Sequence, residues 1–426
     1  MQISFVRATL LGILVSASSL AVLAHGLFGA GSVVTGLLLA CPVTLLVALG
    51  EWRVVSFNLC DGLFVAFVAS VGVSLLVNGH GSDLKELALL VITLGGYLAG
   101  RLCGAREIRR GLMMIGSAVM ATGALATLIA LVEQWSAPHG KPLVFGQFDA
   151  APAQFAMLMG LCLLAWLTSL SRASGVIVLG LLAMVPAAIF AASMVRFSFV
   201  ALALAMLVAA VLGPRVQSRK VIAAVAALAL FAIVGALALR SQTTRIFVDH
   251  AFNAAAGAWS IACDAVDRDN SIAIRGQIYR DALRLLPAAG PFGIGLDGFE
   301  ARGCIKGIGV HNAFLQVALE FGWLAGFALL ALVISAWRAV RELAPIAPEY
   351  RFVAAALVYV AMVSLMHGRI SRELVLFLLL GYASRLWSEG REVAAKLLLR
   401  IAGGGGEQVP PSRRARHWRR RLASCG

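Results

Sequence analysis

Residues 175–195 read GVIVLGLLAMVPAAIFAASMV and contain no charged side chain. An α-helix of this length rises about 30 Å, which matches the hydrocarbon core of a bilayer. Apolar runs of similar length recur along the whole chain of 426 residues. Transmembrane β-strands would instead read as short segments of alternating hydrophobicity. The sequence therefore predicts an all-α polytopic membrane protein.

The composition favours the same class. Hydrophobic residues make up 60% of the chain and charged residues 13%, and the mean hydropathy is +0.89. A soluble domain is about half apolar and a quarter charged. The formal net charge of +15 follows membrane topology first, because Lys and Arg collect in cytoplasmic loops. We expect the excess charge to meet anionic inner-membrane lipids and an anionic substrate, and no nucleic acid.

The apolar runs divide the chain into about twelve predicted transmembrane helices. The first run could be read as a signal peptide, but it carries only Arg7 as a basic residue and the next run follows at once. We therefore interpret it as a membrane span. The predicted spans are residues 5–24, 27–49, 57–77, 84–100, 111–134, 154–170, 175–195, 197–213, 220–239, 312–337, 351–367 and 371–388.

The positions of Lys and Arg orient these spans. If the N-terminus is cytoplasmic, the basic clusters fall in cytoplasmic loops and the short outer loops are nearly free of Lys and Arg, as the positive-inside rule requires. We predict cytoplasmic N- and C-termini. The predicted organisation is nine helices over residues 1–239, a large outer loop over 240–311, three helices over 312–388 and a basic cytoplasmic tail over 389–426.

The loop at 240–311 is the one long polar connection of this scheme, and such connections are usually functional. It contains a helical pattern, IRGQIYRDALRLL (274–286), and a Gly/Pro-rich turn, PAAGPFGIGLDGF (287–299). It also holds Cys263 and Cys304, which we predict to form a disulfide if the loop lies in an oxidising compartment; two unpaired thiols are the alternative. The sequence has no CxxC or HExxH motif and its histidines are scattered, so we expect neither a metal ion nor a cofactor.

Residues 309–326, GVHNAFLQVALEFGWLAG, carry polar groups at the entrance of an apolar span. Asn312 is the predicted N-cap of this helix, which puts His311 at its mouth. The positive helix end disfavours imidazolium, and a neutral imidazole can accept a proton from a hydroxyl. The alternative is that His311 only anchors the helix at the level of the lipid headgroups.

Three further residues of this stretch are interpreted as structural. Glu320 lies about 13 Å deeper than His311 by helical rise, and a carboxylate at that depth needs a partner, which the sequence does not identify. Gly322 and Gly326 form a small-xxx-small pair, which favours close helix packing.

Arginines on the outer side are the second unusual feature, because topology disfavours them there. Arg196 lies between two apolar spans, and Arg275 shares a predicted helix face with Tyr279, four residues later. Guanidinium groups bind phosphate oxygens in pairs and stay charged, so several at one membrane face would suit a diphosphate. Solvated or snorkelling arginines are the alternative. The other candidates on this side are Arg280, Arg284, Arg369 and Arg372.

With these residues laid out, the chain resembles the O-antigen ligase / O-antigen polymerase superfamily. The strongest stretch is HNAFLQVALEFGWLAG (311–326), and the second is Arg275 followed by GPFGIGLDGF (290–299). The third is Arg196 in SMVRF, where the family often has Ser-x-Ser-Arg. Gln154 stands where the family often has an Asn that would contact sugar or phosphate.

The resemblance implies a GT-C type glycosyltransferase in a bacterial inner membrane with a periplasmic active site. The donor would be a glycan on undecaprenyl diphosphate, and transfer would be independent of metal. Arg196 and Arg275 would stabilise charge on the leaving diphosphate. His311 would act as base on the acceptor hydroxyl or hold the phosphate. Asn312, Tyr279 and the other outer arginines would contact diphosphate or glycan.

The size and the single dominant loop favour the ligase branch, whose acceptor is the lipid A–core oligosaccharide of lipopolysaccharide. The polymerase branch, which extends a glycan on undecaprenyl diphosphate, and a branch that glycosylates protein are alternatives. A transporter or flippase would predict inverted repeats and charges near the bilayer midplane. A structural scaffold would not need several outward arginines beside a histidine.

Overall fold

The computed structural model describes residues 2–52, 56–79, 84–104, 106–135, 141–170, 173–195, 197–213, 271–345 and 347–403, with the isolated positions 223, 234, 235 and 249. Over these residues the chain is all-helical, and its only β-type pairing is a single bridge between Val144 and Phe148. The predicted all-α class is confirmed for this part of the chain. The chain forms two compact units, Met1–Trp387 and Ser388–Gly426.

Ten helices of the described chain precede residue 212. They are α1 (Gln2–Val15), α2 (Ala17–Phe28), α3 (Ser32–Ala48), α4 (Leu59–Asn78), α5 (Leu84–Arg101), α6 (Glu107–Gly111), α7 (Ser117–Glu133), α8 (Ala151–Ser169), α9 (Ala173–Ala192) and α10 (Phe197–Val211). A π-helical turn, Leu112–Gly116, continues α6 into α7.

Six helices follow residue 270. They are α11 (Ser271–Ala289), α12 (Gly298–Arg302), α13 (Ala313–Glu320), α14 (Trp323–Leu343), α15 (Pro348–His367) and α16 (Leu374–Gly403). A 3-10 turn, Ile370–Arg372, joins α15 to α16. The apolar run at 175–195 corresponds to α9, whose bounds differ by only a few residues.

Six helical stretches of the described chain are long and apolar enough to cross a membrane. A seventh candidate is the pair α1 and α2, which bend by 71°. These helices suggest a helical membrane protein, whereas the predicted number of twelve spans is not confirmed. The six stretches are Leu59–Asn78, Glu107–Glu133, Ala151–Ser169, Ser174–Ala192, Trp323–Leu343 and Pro348–His367.

Several of the other predicted spans form helices that do not have the length and composition of a membrane-crossing helix. The run at 27–49 forms α3 and the run at 197–213 forms α10, and both are shorter apolar helices. The run at 84–100 forms α5, which includes Lys85, Glu86 and Arg101. The run at 371–388 becomes the 3-10 turn and the first half of α16, and almost all of 220–239 lies outside the described residues.

The predicted span at 312–337 is not one helix. It is divided at Phe321 and Gly322 into α13 and α14. Gly322 has a φ of +90°, a backbone conformation that an α-helix cannot include and that residues with a side chain rarely adopt. The helix must therefore end before Gly322 and restart after it.

Helices α5 and α16 approach each other closely through glycines. A Cβ on Gly100 would collide with the carbonyl oxygen of Leu378, and a Cβ on Gly381 would collide with that of Tyr97. Small residues permit such backbone contact between membrane helices. The crossing sets where α16 begins, and therefore where the turn before it lies.

Buried ion pairs define one end of the bundle, which we call the Arg7 end. Arg7 Nη2 lies 2.5 Å from Glu51 Oε1, and Arg385 Nη2 lies 2.8 Å from Glu51 Oε2. Arg101 Nε lies 2.9 Å from Asp61 Oδ1. Buried charges of this kind must be paired, because burial removes their hydration. The pairs tie α1 to α16 through Glu51, and α4 to α5.

Candidate functional site

The opposite end of the bundle, which we call the His311 end, holds the residues singled out in the sequence. Helix α11 lies there against the end of α15. Tyr279 Oη donates a hydrogen bond of 2.8 Å to the carbonyl oxygen of Leu365, and one turn earlier Arg275 Nη2 lies 3.4 Å from His367 Nδ1. The predicted shared face of Arg275 and Tyr279 is thus the face that meets α15.

The segment before α13 positions His311 and Asn312. Asn312 caps α13 as predicted, since its Oδ1 accepts from the backbone N–H groups of Phe314 and Leu315, both at 3.1 Å. Its Nδ2 lies 3.5 Å from Tyr279 Oη, which links the cap to α11. His311 is exposed and has a φ of +54°. Strained backbone of this kind in a residue other than glycine often accompanies function.

Positive charge surrounds His311. Partial desolvation lowers the pKa of the His311 imidazole, and the charges of Arg275, Arg369 and Lys141 lower it further. Desolvation also lowers the pKa of Lys141, although Asp149 opposes the effect. The imidazole is therefore neutral at neutral pH, and the surrounding cations favour an anionic ligand.

The imidazole of His367 accepts a hydrogen bond from the guanidinium group of Arg275. An arginine can only donate hydrogen bonds, so Nδ1 of His367 is the acceptor and Nε2 carries the ring proton. The ring of Phe197 lies edge-on to the imidazole, with 6.2 Å between the ring centroids. His367 can thus orient Arg275 on one side and present an N–H donor on the other.

The Gly-rich turn after α11 supports this end by packing against the α13–α14 break. The backbone N–H of Ile294 donates to Leu319 at 2.9 Å, and that of Gly295 donates to Glu320 at 3.0 Å. A Cβ on Gly322 would collide with the carbonyl oxygen of Pro291. The turn and the break therefore fit each other only because both contain glycine.

Gly322 and Gly326 do not lie on one continuous helix, although their spacing is that of a small-xxx-small pair. Gly322 lies in the break and is the residue before α14. Gly326 lies on α14, and a Cβ there would lie 2.9 Å from the Cβ of Ala318 on α13. The two glycines allow the short helix α13 to fold back on α14, because the break changes the direction of the chain.

Glu320 has the partner that the sequence did not identify. Its Oε2 accepts a hydrogen bond of 2.9 Å from Gln316 Nε2, and Gln316 Oε1 accepts one of 2.9 Å from the backbone of Ile370. Burial raises the pKa of Glu320 to about 8, so the carboxyl is largely protonated at neutral pH. These contacts fit the structural role that we predicted for it.

Arg369 and Arg372 are held in an ion-pair network. Arg369 contacts Asp297 at 2.5 Å and Glu300 at 3.0 Å, and both arginines contact Glu86, at 3.3 and 2.8 Å. The carboxylates pair with these guanidinium groups and fix the 3-10 turn to α5 and α12. Contact with a substrate stays a prediction for both residues.

Arg280 and Arg284 are exposed and interact within their own helix. Arg280 donates to Gln277 Oε1 at 2.8 Å, and Arg284 lies 3.6 Å from Asp281. Gln154 is partly buried in the first turn of α8, and its Oε1 has no hydrogen-bond partner among the described residues. Their predicted contacts with diphosphate or glycan also stay predictions.

Two predicted residues lie outside the described part of the chain. Arg196 is one of them, although its neighbour Phe197 contacts His367. Cys263 is the other. Cys304 is disulfide-bonded, and its backbone N–H donates to Asp281 at 2.8 Å. The pairing of Cys304 with Cys263 itself stays a prediction.

Sequence reasoning missed His367 and Lys141. His367 lies two residues before Arg369 in MHGRISRE (366–373), and Lys141 lies in a predicted outer loop, where the sequence holds few basic residues. Both signals were visible, but only the tertiary structure brings these residues to Arg275.

Comparison with known proteins found no match for this chain. The chain matches no protein-family model, and no curated protein matches it. Among the described residues, no group of three or more His, Cys, Asp or Glu side chains is arranged to hold a metal ion.

Proposed function

We propose that the protein is a membrane glycosyltransferase that moves a glycan from undecaprenyl diphosphate to the lipid A–core oligosaccharide. Its site is the His311 end, on the periplasmic side of a bacterial inner membrane. The observation that supports this proposal is that Arg275, His311, His367 and Lys141 interact at one end of an apolar helical bundle.

The residues of the cluster suit the chemistry of this transfer. When the sugar leaves, negative charge develops on the diphosphate oxygens, and fixed cations in a partly desolvated site stabilise it. Arg275 and Lys141 supply that charge. His311, kept neutral by its surroundings, is able to take the proton of the acceptor hydroxyl as the new glycosidic bond forms.

The test uses purified protein, undecaprenyl-diphosphate-linked glycan and lipid A–core, in the presence of EDTA. We expect wild type to transfer glycan, and Arg275→Ala and His311→Ala each to lose about a hundredfold or more in kcat. Arg302→Gln removes an exposed arginine of α12 that is not among the candidate residues, and it should retain full activity.

Longer glycans on the undecaprenyl carrier, without product on lipid A–core, would replace the ligase by the polymerase reaction. Full activity in both alanine variants would remove the proposed site. Glycan-carrier movement between the two faces of proteoliposomes without any transfer would favour a flippase.

A further inference from the structure

The hydroxyl group of Tyr279 lies where three helices come together at the His311 end. Tyr279 belongs to α11, and its Oη donates a hydrogen bond of 2.8 Å to the carbonyl oxygen of Leu365 in the last turn of α15. The Nδ2 atom of Asn312, the N-cap of α13, lies 3.5 Å from the same Oη. One oxygen atom therefore connects α11 with both α15 and α13.

This hydroxyl is used both as a donor and as an acceptor. Its single hydrogen points to the carbonyl oxygen of Leu365, so its lone pairs face Asn312. The Oδ1 atom of Asn312 accepts from two backbone N–H groups of α13, which directs the NH2 group of the same amide toward Tyr279. Protein partners on both sides of the hydroxyl favour a role in placing the helices over a contact with glycan.

The residues that meet at this hydroxyl are close in sequence to the residues of the candidate site. The neighbouring pairs are Tyr279 with Arg275, Leu365 with His367, and Asn312 with His311. No described carboxylate forms an ion pair with Arg275, and its guanidinium group lies 3.4 Å from His367 Nδ1. The position of Arg275 relative to the two histidines therefore depends on how α11 lies against α15 and α13.

We propose that Tyr279 is a positioning residue, whose hydroxyl sets the relative placement of three residues of the candidate site. These are Arg275, His311 and His367. A displacement of about 1 Å between catalytic groups can cost a hundredfold in rate, so the placement matters for transfer. The effect on transfer rests on the proposed function, whereas the placement itself does not.

The experiment compares Tyr279→Phe, which removes the hydroxyl and keeps the ring, with Tyr359→Phe. The hydroxyl of Tyr359 also donates to a backbone carbonyl of another helix, that of Ala156 at 3.2 Å, and it lies about 12 Å from His367 along α15. Two quantities are measured on the full-length protein. The first is kcat of glycan transfer, and the second is the pKa of His311, from NMR of histidine-labelled protein with His311→Gln to assign the signal.

We expect Tyr279→Phe to lower kcat about tenfold and to raise the pKa of His311. After partial desolvation, the charge of Arg275 is the largest cause that lowers this pKa, and its effect weakens when α11 is no longer fixed. Tyr359→Phe should lose a similar amount of thermal stability, because each variant loses one hydrogen bond, but should keep kcat and the pKa of His311 near wild type.

An unchanged pKa of His311 in folded Tyr279→Phe protein would overturn the positioning role, even if kcat falls, because the hydroxyl would then act on substrate. Equal changes in both phenylalanine variants would also overturn it, since the effect would be one of general stability. If wild type transfers no glycan but Tyr279→Phe still raises the pKa of His311, the proposed function fails and the positioning role stands.

Discussion

The contact between Arg275 and His367 requires the tautomer of the His367 imidazole in which Nδ1 is the acceptor. Nδ1 accepts from the guanidinium, so the orientation of Arg275 depends on a ring that is itself held beside Phe197. An amide side chain can supply a similar acceptor, whereas a methyl group cannot. The effect of replacing His367 should therefore depend on the replacement.

We predict that His367→Ala lowers kcat of glycan transfer by about tenfold or more, and that His367→Asn lowers it less. The physical reason is that, in the proposed transfer, precise orientation of a charged donor governs stabilisation of the leaving diphosphate. Steady-state kinetics of both variants would measure the difference. Arg302→Gln, which changes an exposed residue of α12 outside the candidate site, is the control.

Equal kcat in wild type and His367→Ala would show that Arg275 does not need the imidazole. Equal losses in the alanine and asparagine variants would indicate a role for the ring other than accepting from Arg275. Protein yield and thermal stability of each variant distinguish both results from misfolding.

The lowered pKa of His311 gives a second prediction, on pH dependence. If neutral His311 is the base, kcat/KM falls as pH falls through its pKa, which lies below the ordinary value of about 6.5. Lys141→Gln removes one of the positive charges that lower this pKa. The acid limb should then move to higher pH, which a pH–rate profile would detect.

Arg284→Gln tests whether the shift is local, since this exposed arginine does not belong to the cluster around His311. An acid limb that moves equally in both variants would contradict the local effect. A rate that instead rises as His311 becomes protonated would mean that His311 holds the phosphate and is not the base.

Among single residues, the sequence predicted what depends on local spacing. Arg275 and Tyr279 share a face because they are four residues apart, and Asn312 caps α13 because its side chain reaches N–H groups two and three residues later. The contacts of His367 and Lys141 span about 90 or more positions. No local pattern encodes such distances.

At the scale of elements, the α13–α14 break decides how the His311 end is built. Gly322 combines a positive φ with backbone contact to Pro291, so both conformation and space require glycine. We predict that Gly322→Ala destabilises the protein by about 2–4 kcal/mol. Thermal unfolding in detergent would measure this loss.

Gly276→Ala is the control for this substitution. Gly276 lies in α11, and a Cβ there would meet nothing within 4 Å. Alanine has the higher helix propensity, so this variant should gain up to about 1 kcal/mol. A Gly322→Ala protein as stable as wild type would mean that the turn and the break can separate without cost.

The same break explains why element prediction failed at 312–337. Hydropathy sums side-chain character over a window, and Phe321, Gly322 and Trp323 fit an apolar helix in that sum. What ends the helix is the backbone fit to residues 290–295, which lie elsewhere in the chain. By contrast, the bounds of α9 follow the apolar run.

At the scale of the whole molecule, the charged groups divide between two ends. The Arg7 end buries ion pairs of Arg7, Arg101 and Arg385, and the His311 end holds the basic cluster around Arg275. Helix α15 runs from one end, at Glu349, to the other, at His367. If the helices cross a membrane, the two ends face opposite compartments.

The last prediction concerns which compartment each end faces. The positive-inside rule places Arg110 in the cytoplasm and Arg284 in the periplasm, and both side chains are exposed. We expect Arg284→Cys to react with a membrane-impermeant thiol reagent in cells with a permeabilised outer membrane. Arg110→Cys should react only after the inner membrane is opened. Cys41 is exposed and unpaired, and Cys425 lies in the tail outside the described residues, so the test is made in a background with Cys41→Ser and Cys425→Ser. The reverse labelling pattern would invert the topology and put the His311 end in the cytoplasm, away from any periplasmic lipid A–core acceptor. Periplasmic transfer is then impossible, whatever the cluster binds.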